Sequence, residues 1–102
     1  MAKIAIIGEF ETRPEAYEEF ENLIQSHATS CLKIEPGCLR FELLSPVDEN
    51  GKKLQNKLVV NELFENSEAV EFHKNTDRMQ RVFGQFDRLL VSQRLFLSEV
   101  HD

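Results

Sequence analysis

Basic residues are in the minority in this sequence, with 12 Lys and Arg against 18 Asp and Glu and a formal net charge of −6. Binding to nucleic acid needs a Lys/Arg stripe that displaces counterions from the phosphates, so no nucleic-acid partner is expected. The local pair Lys52-Lys53 sits beside Gly51 and reads as a solvated loop. No apolar run approaches the roughly 18 residues of a membrane-spanning helix, so no membrane partner is expected either. Met1-Ala2-Lys3 leads directly into alternating residues, without the apolar stretch and small-residue cleavage site of a signal peptide. The expected location is cytoplasmic.

Cysteine is scarce as well, with Cys31 and Cys38 alone. In a reducing compartment a disulfide between them is disfavoured, and two thiols without a CxxC spacing make a poor metal signature. Both are expected to be small buried hydrophobes, with no metal ligand among the candidate residues. There is no GxGxxG, no Walker loop and no Cys/His cluster, so no cofactor is predicted. What remains is an ordinary globular composition, 41% hydrophobic and 29% charged, in 102 residues. That length forms a single domain, 1–102, able to bury roughly two-thirds of its unfolded surface.

The sharpest punctuation lies at Glu35-Pro36-Gly37-Cys38. Pro36 supplies no N–H and drives Glu35 from helical dihedrals, so the helix before it must stop, and Gly37 suits a tight reversal. From Cys38 the chain alternates, with Leu39, Phe41 and Leu43 on one side and Arg40 and Glu42 on the other, the period of a strand. Before the turn, Lys3 to Phe10 is a β-branched strand with apolar residues on both faces. Thr12 then reads as the cap of a helix running from Pro14 to Ile34. His27 falls on that helix's apolar stripe with Phe20, Ile24 and Cys31.

After the turn, Ser45 to Lys53 carries Pro and Asn-Gly in a long hairpin-type loop. Lys57 to Phe64 forms a third strand, and Asn66-Ser67 caps a helix that breaks around Asn75-Thr76-Asp77. The helical pattern resumes through Met79, Val82, Phe83, Phe86 and Leu89, with Gly84 inside it, and a last strand runs from Ser92 to Val100. Arg40 and Glu62 are read as a cross-strand ion pair. The order is βαββαβ, an α+β, ferredoxin-like arrangement. Helices cover one face of such a sheet, yet strands 1, 3 and 4 are apolar on both parities, so a second copy of the sheet is the expected cover. The prediction is a homodimer, a dimeric α+β barrel.

Three stretches, Glu35 to Glu42, Glu62-Leu63-Phe64-Glu65 and Ala69 to Lys74, together resemble the antibiotic biosynthesis monooxygenase family over nearly the whole chain, most closely its small bacterial quinol monooxygenases. A relative that isomerises a phosphorylated signal sugar is also similar. The resemblance implies a dimeric barrel, a pocket between sheet and helices, and oxygen chemistry without metal or flavin. Where relatives carry a second histidine after the His73 segment, this chain has Asp77-Arg78.

The candidate catalytic residues are His73, His27 and Asn61. His73 matches the family's second-helix histidine and is set as the base that takes a proton from a phenolic or quinol hydroxyl, the anion then reacting with O₂. His27 is either a helper or a buried imidazole satisfied by a neighbouring carbonyl. Asn61 either steadies developing charge on a substrate oxygen or pins a strand. Phe41, Phe64, Phe83 and Phe86 are candidate pocket walls for a small aromatic or quinol-like substrate, with plain core packing as the other reading. The alternatives to the oxidase are an isomerase of a small phosphorylated keto-sugar and a non-catalytic dimeric binding module.

Overall fold

The two periodicities of the sequence become one sheet with helices on a single face. A computed structural model describes residues 2–101. In chain order the elements are β1 (Ile4–Thr12), α1 (Tyr17–Ile34), β2 (Cys38–Leu44), β3 (Lys57–Phe64), α2 (Ser67–Lys74), α3 (Asp77–Phe83), α4 (Phe86–Leu89) and β4 (Leu90–Glu99). The strands are antiparallel in the order β2-β3-β1-β4, the expected ferredoxin-like α+β topology. No helix among the described residues is long and apolar enough to cross a membrane.

Packing follows the helix stripe. Phe20, Ile24, Ala28 and Cys31 of α1 are buried against Ile6 and Phe10 of β1 and Leu58, Val60 and Phe64 of β3. Phe10, Phe20 and Phe86 meet as a triangle of tilted and edge-on rings with centroids 5.2, 5.5 and 5.6 Å apart, the arrangement that ring quadrupoles favour. Glu35 ends α1 in an extended conformation while its N–H still donates to the Cys31 carbonyl, so the helix stops where Pro36 requires. Asn66 caps α2 by accepting from the Ala69 N–H at 2.9 Å, and Thr76 caps α3 by accepting from Met79 at 3.0 Å.

Several sequence expectations are corrected. Thr12 does not cap α1: it closes β1, where its N–H donates to the Asn56 carbonyl, and the helix is reached through a 3-10 turn at Pro14–Ala16. Gly84 does not lie inside a helix but caps the end of α3, its N–H donating to the Gln80 carbonyl at 3.0 Å, so the second helical region is in three pieces. The absence of a side chain lowers glycine's helix propensity enough for the chain to turn there. The last strand begins two residues earlier than expected, at Leu90.

A bulge in β2 changes more. The pairing with β3 runs Cys38 to Phe64, then Arg40 to Leu63 and Phe41 to Glu62, so one extra residue is taken up between Cys38 and Arg40. Cys38 and Phe41, which differ in parity, are therefore both buried under the helices, and Leu39 is thrown outward to 46% exposure. The Arg40–Glu62 ion pair does not form, because the slip leaves Arg40 exposed while Glu62 is buried on the helix side.

Gly37 also has a reason the sequence does not display. Its φ is not positive. A Cβ built there would lie 2.4 Å from the Cβ of Ala69, so the glycine is needed for the close approach of the turn to α2. Its carbonyl accepts from the Glu65 N–H at 2.9 Å, tying the turn to the end of β3. Gly37→Ala is expected to lower stability by about 1–3 kcal/mol through overpacking. Adding Ala69→Gly should return most of that loss in urea unfolding, apart from its own helix-propensity cost of about 1 kcal/mol. Equal stability of Gly37→Ala and wild type would show that the turn and α2 are not in fixed contact.

Candidate active site

The site is built on the buried face of α1. His27, Cys31 and Glu35 follow one another at intervals of four, so each lies one helical turn beyond the last and all three point under the sheet's helical cover. From the opposite side, α2 brings His73 down through the cap at Asn66, and β3 raises Glu62. Arg78 comes from the first turn of α3. All but Arg78 are nearly excluded from solvent, with Glu35 at 3%, His27 and His73 at 4% and Glu62 at 6% exposure.

Glu35 is shared. One oxygen accepts from His73 Nδ1 at 3.0 Å, and the other forms a charge-assisted bond with the Arg78 guanidinium. A buried carboxylate that accepts from both groups fixes the tautomer of His73: the Nδ1 proton is committed to Glu35, and the Nε2 lone pair is left free. Nε2 faces Glu62, whose Oε1 lies 3.8 Å away and has no hydrogen-bond partner among the described residues. That gap is too long for a hydrogen bond. Behind the His73 ring stands Phe64, with centroids 5.0 Å apart, while His27 stands at 5.3 Å.

Burial sets the protonation states. Glu62 is pushed up to about 8, first by burial and then by the charge of Glu35. His27 is pulled down to about 4 by burial, with His73 and Arg78 adding to the effect. His73 is also lowered by burial, though the Glu35 carboxylate opposes that shift. Near neutral pH the site therefore holds a neutral, basic imidazole opposite a carboxylic acid that still carries its proton. Burial and Glu35 push the Cys31 thiol far up, and the same two causes bring Cys38 to about 11. Neither thiol is a ready nucleophile.

This polar end opens into a cavity of about 310 Å³. Its walls are almost wholly apolar, with Phe41, Phe83 and Phe86 among them, and Gln93, Leu95 and Leu97 of β4 form one margin. His27, His73 and Glu62 all face it. Three of the four candidate phenylalanines thus line the pocket. Phe64 does not: it is fully buried beneath His73 and acts on the imidazole rather than on the pocket. Asn61 is not brought to the site. It alternates to the sheet face opposite Glu62, where its amide donates to Glu42 Oε1 at 3.2 Å, so it pins β3 to β2.

Glu35, Glu62 and Arg78 were not among the sequence candidates. Glu35 was legible in principle, since it lies two turns beyond His27 on the same stripe. The burial of Glu62 was legible too, since it alternates with Leu58, Val60 and Phe64 on one face of β3, whereas Arg78 carries no local signal that distinguishes it from a surface arginine.

Residues 3–85 match the model of the family described as antibiotic biosynthesis monooxygenase. Among solved structures the chain is similar to a protein of Mycobacterium tuberculosis, with TM-score 0.83 and 22% identity over 99% of this chain and 97% of that one. A Caulobacter crescentus protein named "putative antibiotic biosynthesis monooxygenase" gives TM-score 0.85 and 19% identity over 99% and 92% of the two chains. A Bacteroides thetaiotaomicron protein named "possible oxidoreductase" gives 0.85 and 16% over 97% and 98%. No curated protein matches the sequence significantly.

The raised Glu62 has a measurable consequence. Its folded-state value of about 8 lies above the ordinary 4.5, so its contribution to stability is fully present below about 4.5 and is lost as pH rises through about 8. Glu62→Gln removes that loss. In urea unfolding with a chelator present, the variant should gain on wild type between pH 5 and pH 9. A gap that stays constant over that range would mean that Glu62 ionises as freely folded as unfolded.

Proposed function

The chain belongs to the antibiotic biosynthesis monooxygenase family, and from that footing we propose that it oxidises a small phenolic or hydroquinone substrate with O₂. The observation that carries the reading is the 3.8 Å gap between His73 Nε2 and the unpartnered Glu62 Oε1 at the polar end of an apolar cavity. A base and an acid are held too far apart to satisfy each other and at the right separation to engage one hydroxyl between them. The substrate hydroxyl donates to Nε2 and accepts from the Glu62 acid.

His73 takes the hydroxyl proton, and the resulting electron-rich anion gives its electrons to O₂, forming a carbon–oxygen bond and a peroxide on the ring. The His73 imidazolium returns its proton to the peroxide, and Glu62 supplies a second to the distal oxygen as the O–O bond breaks, so that oxygen leaves as water. The ring C–H proton passes to the Glu62 carboxylate, and its electron pair completes the new C=O. For a hydroquinone the sum is one quinol and one O₂ giving one hydroxyquinone and one water. The substrate carries the electrons, so the reaction requires no flavin or redox metal. Glu35 and Arg78 act behind the imidazole: the carboxylate holds the ring orientation and steadies the imidazolium formed when the proton arrives. The apolar lining favours a flat aromatic ring over a phosphorylated sugar, for which the described lining offers Lys74 as its one ammonium group.

The active form in this proposal is a homodimer. Val91, Leu95, Phe96 and Leu97 of β4 are 39–60% exposed. Their side chains alternate between the two sheet faces, so a second sheet packed against this edge covers apolar surface and closes the β4 margin of the pocket. Sedimentation at micromolar concentration should give twice the chain mass, and a monomer that stays in solution there would overturn the dimer.

Activity is tested by oxygen consumption with a panel of hydroquinones and naphthols. His73→Asn is expected to lower turnover by about 10²- to 10⁴-fold, the usual share of a positioned base. Unchanged turnover per folded molecule would remove His73 from the reaction. Binding of the same compounds with no oxygen uptake would leave a binding module in place of an oxidase.

A further inference from the structure

We propose that His27, Cys31 and His73 form a binding site for one thiophilic divalent cation of the zinc class. The inference stands apart from the oxidation reading, since it rests on the side of the His73 ring that faces away from Glu62. Among the described residues, the donor atoms of these three buried side chains all lie within 4.8 Å of one another. Cys31 Sγ is 3.6 Å from His27 Nε2 and 3.7 Å from His73 Nδ1. A tetrahedral zinc, with Zn–S about 2.3 Å and Zn–N about 2.0–2.1 Å, sets each S···N edge at about 3.6 Å. Two of the three edges of the site are therefore already at ligand spacing.

The hydrogen bonding points the same way. The His27 imidazole makes no hydrogen bond to an oxygen or nitrogen atom of the described residues, and its one polar partner is the Cys31 sulfur. A thiol is a weak partner for a buried imidazole. A cation bonded to both satisfies the pair at once. Two helices hold the donors: His27 and Cys31 are one turn apart on α1, and His73 reaches across from α2. Such fixed backbone positions are what a closed site requires.

Neighbouring charges complete the shell. Glu35 Oε1 lies 3.0 Å from His73 Nδ1 and is placed to become the fourth ligand when the metal replaces the Nδ1 proton. The Glu62 acid hands its proton to Nε2 and becomes the outer carboxylate that commonly holds a metal-bound histidine. The displaced Nδ1 proton and the Cys31 proton leave to buffer, so a thiolate and the two carboxylates answer the two charges of the cation and the one of Arg78. The Arg78 guanidinium, 3.6 Å from Cys31 Sγ, occupies the approach to the site. Its side chain is partly exposed and borders a cleft between α1 and α3, which gives it a way out as the metal comes in. Because the metal takes Nδ1 and leaves Nε2 protonated, a filled site and a basic His73 exclude each other.

The test uses the full chain stripped with chelator and then titrated with Co(II) as a spectroscopic probe. The expected result is one equivalent bound, with a near-ultraviolet sulfur-to-cobalt charge-transfer band and intense visible bands of tetrahedral cobalt, all displaced by Zn(II). Cys31→Ser should abolish the charge-transfer band, and His27→Asn should weaken binding by at least about 100-fold, beyond the 10–100-fold cost of losing an outer-shell partner. Cys38→Ser should retain the band. Should the Cys31 variant fail to fold, ¹¹³Cd NMR of the wild-type protein reads the ligand set directly, with a shift for one sulfur, two nitrogens and one oxygen expected. A weak octahedral cobalt spectrum, an oxygen-only cadmium shift, or a band that survives in Cys31→Ser would overturn the site. None of these readouts depends on turnover, so they are decided whether or not a quinol is oxidised.

Discussion

A single buried carboxylate holds the helical layer to itself. Glu35 ends α1, and its two oxygens are taken by His73 from α2 and Arg78 from α3, so three elements are fixed through one side chain that is 2% exposed. Burying a charge this deeply is tolerable only when it is paired and hydrogen-bonded, and here each oxygen has a partner, the imidazole N–H on one and the guanidinium on the other. The surrounding geometry serves that requirement. Pro36 stops the helix at the residue that must turn inward, and Gly37 allows α2 to come close enough for His73 to reach. Removing Arg78 would strand the charge, whereas an apolar residue at position 35 would cost the site its orientation before it cost the fold its stability.

Much of this was legible and some was not, for identifiable reasons. The stripe on α1 places His27 inside, the cap at Asn66 opens α2, and the break around Asn75-Thr76-Asp77 separates it from α3, because periodicity and capping are local properties. The stop at Glu35 was equally local. Register is not. Nothing in Cys38-Leu39-Arg40 announces the extra residue that moves Leu39 to the outside and separates Arg40 from Glu62, so in the sequence a pocket acid reads as half of a cross-strand ion pair. Phe64 and Asn61 show the same limit. Both were placed on β3 correctly, yet what each touches depends on β2 and α2.

The site also separates two kinds of chemistry across one imidazole. On the Nε2 side His73 meets an acid and an apolar cavity, which suits proton transfer to and from an uncharged ring. On the Nδ1 side it meets a carboxylate, a guanidinium and a thiol, which suits holding charge in place. Desolvation favours the neutral imidazole, and Glu35 keeps that preference from becoming absolute. An imidazole in such a balance is held near the point where it can both accept and give up a proton.

The sequence separations in the site have a kinetic meaning. Glu35 and Arg78 are 43 residues apart, and Glu35 and His73 are 38, so each contact closes a long loop and is paid for in chain entropy before it returns anything. Helices and the β2–β3 hairpin form from near neighbours, whereas these contacts wait for distant segments to dock. A chain that has gained its secondary structure but not its final packing therefore exposes Glu35 to water and holds no oriented imidazole. What the fold gains from this arrangement is that Glu35 is desolvated only where both of its partners are at hand.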